Sequence, residues 1–120
     1  MKQGTLVQAF KALNSIYRQR LPLPISFKVR KLREELKPAM GFQIDEENKI
    51  ISEMGLDVDF TGRIIFPNDE AARTYNQKAK EIADLDSDVE FHPIELPLLE
   101  DLRISGADVE TLEGFVTFKE

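Results

Sequence analysis

The sequence predicts an α+β fold in which an N-terminal antiparallel helical hairpin packs with a small antiparallel β-sheet and two further short helices. Apolar residues recur at helical spacing up to Gly55, and short strand-like runs follow it. Prolines and glycines fall between these stretches, where turns are required. We therefore expect a single domain over residues 1–120, with a helical hairpin at 1–55 and an acidic α+β half at 56–120.

The first helix is predicted over Leu6–Arg20, with Thr5 as its N-cap. Its apolar residues share one face, within an arc of about 120°. They are Leu6, Ala9, Phe10, Leu13, Ile16 and Tyr17. Pro22 and Pro24 push the residues before them towards extended geometry, so the helix ends ahead of them. A connection this short favours an antiparallel partner helix.

The second helix is predicted from Pro24 to about Met54, with an apolar stripe within an arc of about 60°. The stripe consists of Ile25, Val29, Leu32 and Leu36. Pro38 removes a helical hydrogen bond at a cost of about 3 kcal/mol or more, and Gly41 weakens the same turn. We therefore expect a kink or a short break near residues 37–42. The helix then resumes and ends at Gly55. Its later apolar positions are Ile44, Ile50, Ile51 and Met54.

A β-hairpin and a third helix are predicted after Gly55. Val58–Phe60 and Ile64–Phe66 read as strands around the turn Thr61-Gly62-Arg63. Asn68 or Asp69 then caps a helix that ends near 84–87. The inner face of this helix is predicted to hold Ala72, Tyr75, Ala79, Ile82 and Ala83.

The last third of the chain is predicted to hold a strand and a short helix. Residues 89–96 alternate like a strand, and Pro93 marks it as an edge strand or a bulge. A turn-rich link at 97–102 follows, and Ser105 starts a helix that stops at Gly114. Val109 and Leu112 are expected to face inward. Residues 115–118 form either a last strand or a packed tail.

The charge distribution is uneven. Residues 1–38 hold nine Lys/Arg and two Asp/Glu, a balance of +7, whereas residues 39–120 have a balance of −13. Three explanations stay open: the halves neutralise each other where they pack, the basic part binds nucleic acid, or the acidic part binds a basic partner. Phe27 lies off the stripe of its helix, and we expect the C-terminal half to cover it, with an exposed contact point as the alternative.

No motif in the sequence points to catalysis or to a cofactor. The chain has no cysteine and one histidine, His92, which we interpret as a structural or surface residue. The acidic runs at 45–47 and 84–88 lack the ligand pattern and central glycine of a calcium loop. No Walker-type glycine loop is present. We therefore predict a protein that is not an enzyme, with no catalytic residues, no metal site and no cofactor.

The distribution of basic residues argues against direct binding to nucleic acid, and the shortness of the apolar runs argues against a membrane span. Helical projection separates Lys28 and Lys31 from Arg30, Arg33 and Lys37, and no aromatic residues interleave with them as a stacking platform. No apolar run is long enough to span a membrane. Residues 81–113 carry many carboxylates and give weak support to the idea of an acidic mimic of DNA.

Over most of its length the sequence resembles a family of small tailed-phage and prophage proteins. The similar pieces are LPISFKVRKL at Leu23–Leu32, the E-x-L-x-P turn at Glu34–Pro38 and the I-x-L of Ile94–Leu96. Members of that family are mostly domains of unknown function, and some are described as tail or virion-associated proteins. The resemblance implies a bacteriophage origin, and it carries no active-site residues over to this chain.

Together these observations predict a viral protein that acts by protein–protein interaction, in virion structure or assembly. The alternative is an acidic host-directed inhibitor that blocks a defence or nucleic-acid enzyme. In either case the partner is another phage protein or a host bacterial protein, oligomerisation remains open, and the location is the host cytoplasm or the virion. The candidate partner surface comprises Phe27, Arg30, Arg33 and Lys37 on the basic side and Asp84, Asp86 and Asp88 on the acidic side.

Overall fold

The computed structural model describes residues 1–99 and 102–119 and confirms the predicted α+β class. A hairpin of two helices, α1 and α2, is followed by small two-stranded sheets and two further helices. The elements are α1 (Gln3–Tyr17), α2 (Leu23–Met54), β1 (Asp57–Val58), β2 (Ile64–Ile65), α3 (Asp69–Ala83), β3 (Ile94–Pro97), α4 (Gly106–Thr111) and β4 (Val116–Lys119).

The predicted apolar stripe of α2 packs into the main core. Val29, Leu32 and Leu36 are fully buried, in one cluster with residues of α1 such as Leu6 and Leu13. These side chains meet because each helix presents its 3.6-residue stripe to the other. The antiparallel helical hairpin therefore rests on the residues that the spacing identified.

Helix α1 begins earlier than predicted, at Gln3 instead of Leu6, so Thr5 is not its N-cap. The segment after α3 holds the first residues in place. The amide of Ser87 donates to the Met1 carbonyl at 2.9 Å, and the amide of Gln3 donates to the Leu85 carbonyl at 2.8 Å. This anchoring orders the backbone from the first residues and lets the helix start there.

Helix α2 runs without interruption through Pro38, so the expected short break near residues 37–42 does not occur. Pro38 has no N–H to donate to the carbonyl of Glu34, but Leu36 and Ala39 on either side of it are fully buried. This packing holds the chain in helical geometry across the proline. As predicted, Gly55 ends the helix in the left-handed conformation, at φ 65°.

The strands form two separate pairs and not one antiparallel sheet. Strands β1 and β2 are antiparallel, as predicted, with Asp57 opposite Ile65. Strands β3 and β4 are parallel, with Ile94 opposite Val116. The second pair is parallel because α4 lies in the connection between its strands and returns the chain to the same end of the sheet.

Three local predictions at the C-terminal end are settled by the structure. The strand predicted over 89–96 is observed at Ile94–Pro97, and of the two alternatives at Pro93, an edge strand or a bulge, the structure has an edge strand. Val109 is exposed, contrary to prediction, whereas Leu112 is buried. Of the predicted 115–118 segment, residues 116–118 belong to β4 (Val116–Lys119), and Phe115 packs in the main cluster just before the strand. Part of the predicted link at 97–102 lies outside the described residues.

A second, smaller cluster occupies the far end of α2. It is built around Ile50, Tyr75 and Ile82, which join the end of α2 to α3. The rings of Phe66 and Tyr75 lie 5.6 Å apart and are tilted, which fixes β2 against α3. Ile44, predicted as an apolar position of α2, is 44% exposed and belongs to neither cluster. The molecule extends 49 × 30 × 21 Å, with one cluster towards each end of α2.

Candidate interaction surfaces

An open groove of about 1100 Å³ lies between the N-terminal half of α2 and the start of β3. We call it the α2 groove. The helix contributes Leu23, Pro24, Phe27, Lys28, Lys31, Leu32 and Glu35, and the strand side contributes His92, Pro93, Ile94 and Glu95. The side chains of Leu23 and Phe27 are 82% and 65% exposed, so apolar surface at this end of the molecule meets solvent.

Helical spacing places the groove residues next to the buried stripe. Leu23, Phe27 and Lys31 follow one another at intervals of four and form a second row beside the stripe that faces α1. Strand β3 contacts α2 near Leu32 through Ile94, which packs against the main cluster. The expectation that the C-terminal half covers Phe27 is therefore wrong, because the strand approaches the helix one turn further along.

The acidic groups of the groove are already engaged, whereas the lysines on its rim are not. His92 Nδ1 lies 2.6 Å from Glu35 Oε2, and Lys119 Nζ lies 3.1 Å from Glu95 Oε2. Within residues 1–99 and 102–119, no carboxylate oxygen lies within 4.0 Å of the Nζ of Lys28 or Lys31. The rim therefore offers positive charge to a partner.

His92 and Glu35 form a pair at the groove. A carboxylate can orient a histidine as the general base of a side-chain nucleophile. Among the described residues that line the groove there is no serine, threonine or cysteine, and the His92 side chain is 88% exposed. We interpret the pair as a bridge that joins α2 to the segment before β3.

The free edge of β3 offers little to an incoming strand. The amide of Ile94 donates to the Phe115 carbonyl at 2.9 Å and the amide of Leu98 to the Lys119 carbonyl at 2.8 Å, so the residues between them alternate and face the opposite edge. On that edge Pro93 and Pro97 have no N–H, which leaves the amide of Glu95 between them. Prolines of this kind oppose the addition of another strand, and recognition at the groove therefore depends on side chains.

Arg33, predicted as part of the partner surface, instead joins the two long helices. Its Nε donates to Asn14 Oδ1 at 3.1 Å, and its guanidinium lies 5.4 and 5.1 Å from the ring centroids of Phe10 and Tyr17. Arg30 and Lys37 are exposed, and Arg30 lines a smaller hollow beside Phe27. The structure therefore brings Phe27 and Arg30 together and turns Arg33 inward.

Replacement of Arg33 with methionine is expected to lower the free energy of unfolding by about 1–3 kcal/mol, because the hydrogen bond and both ring contacts are lost. Lysine is expected to recover only part of the loss, since it lacks the planar fork. Urea unfolding followed by circular dichroism measures the effect. Arg30→Met on the exposed side is the matched control, with an expected change within about 0.5 kcal/mol. Equal losses at both positions would contradict the structural role of Arg33.

The three acidic candidates are exposed on the segment that follows α3. Lys2 Nζ lies 3.7 Å from Asp84 Oδ1, and the backbone of Asp86 pairs with that of Lys2. Asp86 and Asp88 line a hollow beside Pro38, separate from the α2 groove. The acidic and basic candidates thus belong to different surfaces. The basic and acidic halves are joined by the ion pair of Lys2 with Asp84 and by the hydrogen bond between Glu35 and His92.

A second set of exposed apolar side chains, which we call the hairpin tip, lies at the turn between β1 and β2. Its residues are Val58, Phe60 and Ile65, at 46%, 101% and 53% exposed. The pairing of Val58 with Ile64 and of Asp57 with Ile65 places Val58 and Ile65 on opposite faces of the ribbon. Asp59 Oδ1 accepts from the Thr61 amide at 2.9 Å, the Thr61 hydroxyl at 2.6 Å and the Arg63 amide at 3.0 Å. Gly62 completes the turn at φ 87°. The turn is therefore fixed while Phe60 projects into solvent.

The order of the hairpin tip is expected to depend on acidic pH through Asp59. Hydrogen bonds to its carboxylate lower the pKa of Asp59 below the ordinary value of 3.8. The bond from the Thr61 hydroxyl has the largest effect, and the bond from the Arg63 amide the next largest. The stability that the ionised carboxylate gives to the turn is therefore fully present above pH 3.8, and it is lost as the pH falls through the lowered pKa. Amide NMR shifts of Thr61 and Arg63 should report this transition. In Asp59→Asn the transition should vanish; its persistence would assign it to another group.

Sequence reasoning missed Leu23, Ile94 and Phe60 as surface residues. The interval of four between Leu23 and Phe27 was a usable signal for the groove row. Phe60 directly precedes the predicted turn Thr61-Gly62-Arg63, and connecting segments generally run over the protein surface. Ile94 gave no signal, because its place beside α2 depends on the path of the chain from α3 to β3.

No family model, curated protein or solved structure was found to match this chain. Over the described residues, no helix combines the length and the apolar character that crossing a membrane requires. In the same part of the chain, no group of three or more histidine, aspartate or glutamate side chains is placed to hold a metal ion. The surfaces themselves therefore provide the basis for a functional proposal.

Proposed function

We propose that the chain is a non-enzymatic protein that acts by binding another protein at the α2 groove. The exposed pair of Leu23 and Phe27 beside a concave apolar surface supports this proposal. Scattered apolar residues on a surface need no explanation, but a continuous patch with a polar rim is characteristic of interaction sites. The partner is expected to insert apolar side chains and to carry negative charge opposite Lys28 and Lys31.

We further propose that this binding serves virion structure or assembly in a bacteriophage. This setting follows from the resemblance given under Sequence analysis, and Leu23–Leu32, one of the stretches that carry it, provides one wall of the groove. The partner in this proposal is another virion protein or a second copy of the chain, in the host cytoplasm during assembly or in the finished particle. Mass spectrometry of purified particles should detect the chain, and its absence would contradict a structural role.

Site-specific photo-crosslinking tests the groove directly. A photoreactive amino acid at position 27 should give one main adduct in phage-producing cells, which mass spectrometry then identifies. The same amino acid at Gln77, exposed on α3, is the control and should not give that adduct. No adduct at position 27, or the same adduct from both positions, would contradict the proposed function.

A second candidate function is the acidic, host-directed inhibitor. The exposure of Asp84, Asp86 and Asp88 on one segment favours it, together with the balance of −13 over residues 39–120. Inhibition through charge should weaken steeply as the salt concentration rises, whereas a contact built on apolar burial should not. Replacement of the three aspartates with asparagine should abolish inhibition of the host enzyme and leave the binding of a protein partner at the α2 groove intact.

A further inference from the structure

We infer that the hairpin tip of one copy inserts into the α2 groove of a second copy, so that the chains assemble head to tail. The inference rests on the proposed function of the α2 groove as a protein-binding surface and identifies its occupant. Two observations lead to it: the described residues expose apolar side chains at both the groove and the hairpin tip, and these two sites differ in shape and in the charge around them. One is a concave groove, and the other is a projecting turn with a fully exposed phenylalanine.

The two surfaces lie at opposite ends of the molecule. The groove is formed along residues 23–35 of α2, and the hairpin tip follows the last residue of that helix, Met54. At about 1.5 Å per residue a helix of this length spans most of the longest dimension of 49 Å. A copy therefore cannot fill its own groove with its own tip, but a neighbouring copy can.

The charges around the two surfaces are complementary. Asp57 and Asp59 flank the apolar residues of the tip, and Arg63 leaves the 57–65 segment with a balance of −1. The groove presents Lys28 and Lys31 on its rim. Of its own carboxylates, Glu95 lies 3.1 Å from Lys119 Nζ, and Glu35 lies within hydrogen-bond distance of His92. A docked tip therefore meets the positive charge of the two rim lysines.

The shape of the tip also suits insertion by side chains. The prolines on the free edge of β3 oppose pairing with another strand, so an occupant must present side chains to the groove. Asp59 and Gly62 hold the turn in one conformation before any contact forms. A rigid aromatic side chain of this kind loses little conformational freedom on binding. Phe60 is therefore the expected anchor.

A contact between two different surfaces of the same chain is heterologous. Such contacts do not stop at a dimer but continue until a ring closes or a filament forms. The predicted assembly therefore has a free groove at one end and a free tip at the other unless it closes. A symmetric dimer through one self-complementary patch would behave differently, and this difference provides the test.

Sedimentation velocity of the full chain, from about 10 μM to about 1 mM, measures the assembly. Wild type is expected to grow beyond the dimer with rising concentration. Phe27→Ser and Phe60→Ser, both at exposed positions, are each expected to stay monomeric. Mixed in equal amounts, they should form a dimer and no larger species, because one intact tip meets one intact groove. Val109→Ser, exposed on α4, is the control and should assemble like wild type.

Charge reversal provides a second, independent measurement. Lys28→Glu combined with Lys31→Glu is expected to weaken the assembly at least about tenfold, and Asp57→Lys on the tip should restore part of the loss. A wild-type chain that stays monomeric throughout, or a variant mixture that forms no dimer, would overturn head-to-tail assembly. If position 27 then still crosslinks to another protein, the proposed function of the groove stands. If it gives no adduct, both proposals fail.

Discussion

Replacement of Leu36 with alanine is expected to lower the free energy of unfolding by about 2–5 kcal/mol. Leu36 is fully buried in the main cluster, and the backbone on either side of it is held by the rest of α2. Truncation removes apolar contacts and leaves a cavity that two packed helices cannot close. Urea unfolding followed by circular dichroism measures the loss, and the dependence on urea should keep its wild-type slope.

Ile44→Ala is the matched control for Leu36→Ala. It removes an aliphatic side chain from the same helix at a position that is 44% exposed, and we expect a change within about 0.5 kcal/mol. Equal effects at the two positions would show that α2 does not bury one stripe against α1.

Replacement of Phe115 with alanine is expected to lower the free energy of unfolding by about 3–5 kcal/mol. Phe115 is 1% exposed, and its ring stacks on that of Phe91 with centroids 4.6 Å apart. Its carbonyl accepts from the Ile94 amide at 2.9 Å, so the residue joins β3 and β4 to the helical hairpin. Thermal unfolding by calorimetry measures the loss.

Val109→Ala near the exposed surface of α4 is the control for Phe115→Ala, with an expected change within about 0.5 kcal/mol. The Phe115 variant should also weaken protection of the β3 and β4 amides against hydrogen exchange. Retention of wild-type protection with a loss below about 1 kcal/mol would contradict the role of Phe115 in docking the parallel pair.

The features that sequence reasoning predicted correctly depend on local physical chemistry. The stripe of Val29, Leu32 and Leu36 follows from helical periodicity alone. Asn68 and Ser105 were predictable as caps because their side chains accept from the amides three residues later, at 2.8 and 3.1 Å. Gly55 ends α2 for a similarly local reason, its positive φ.

The features that sequence reasoning predicted wrongly depend on contacts between distant segments of the chain. The early start of α1 requires the chain after α3 to bond to residues 1–3. The parallel pairing of β3 and β4 depends on the return path through α4. The uninterrupted course through Pro38 depends on burial of Leu36 and Ala39 by other elements. No local pattern in the sequence carries this information.

The candidate surface was predicted in part. The helical pattern identifies Phe27 as lying off the buried stripe, but it does not show that the C-terminal half leaves this side chain 65% exposed. Arg33 shares a helical flank with Arg30, but only the neighbouring rings and amide of α1 show that it faces inward. Helical spacing cannot tell an arginine that contacts a neighbouring helix from one that faces solvent, because both positions recur with the same 3.6-residue period.

Thiol labelling tests most directly the claim that α2 buries one row of side chains and exposes the next. The chain has no cysteine, so single replacements give one reactive group. In dilute native protein, Phe27→Cys should react with a thiol reagent nearly as fast as the same variant unfolded in urea. Val29→Cys, at a fully buried position two residues away, should be protected. Fast reaction at position 27 with protection at position 29 is the expected result. Protection of the thiol at position 27 would show that the groove is closed and would contradict an exposed row beside the buried stripe of α2.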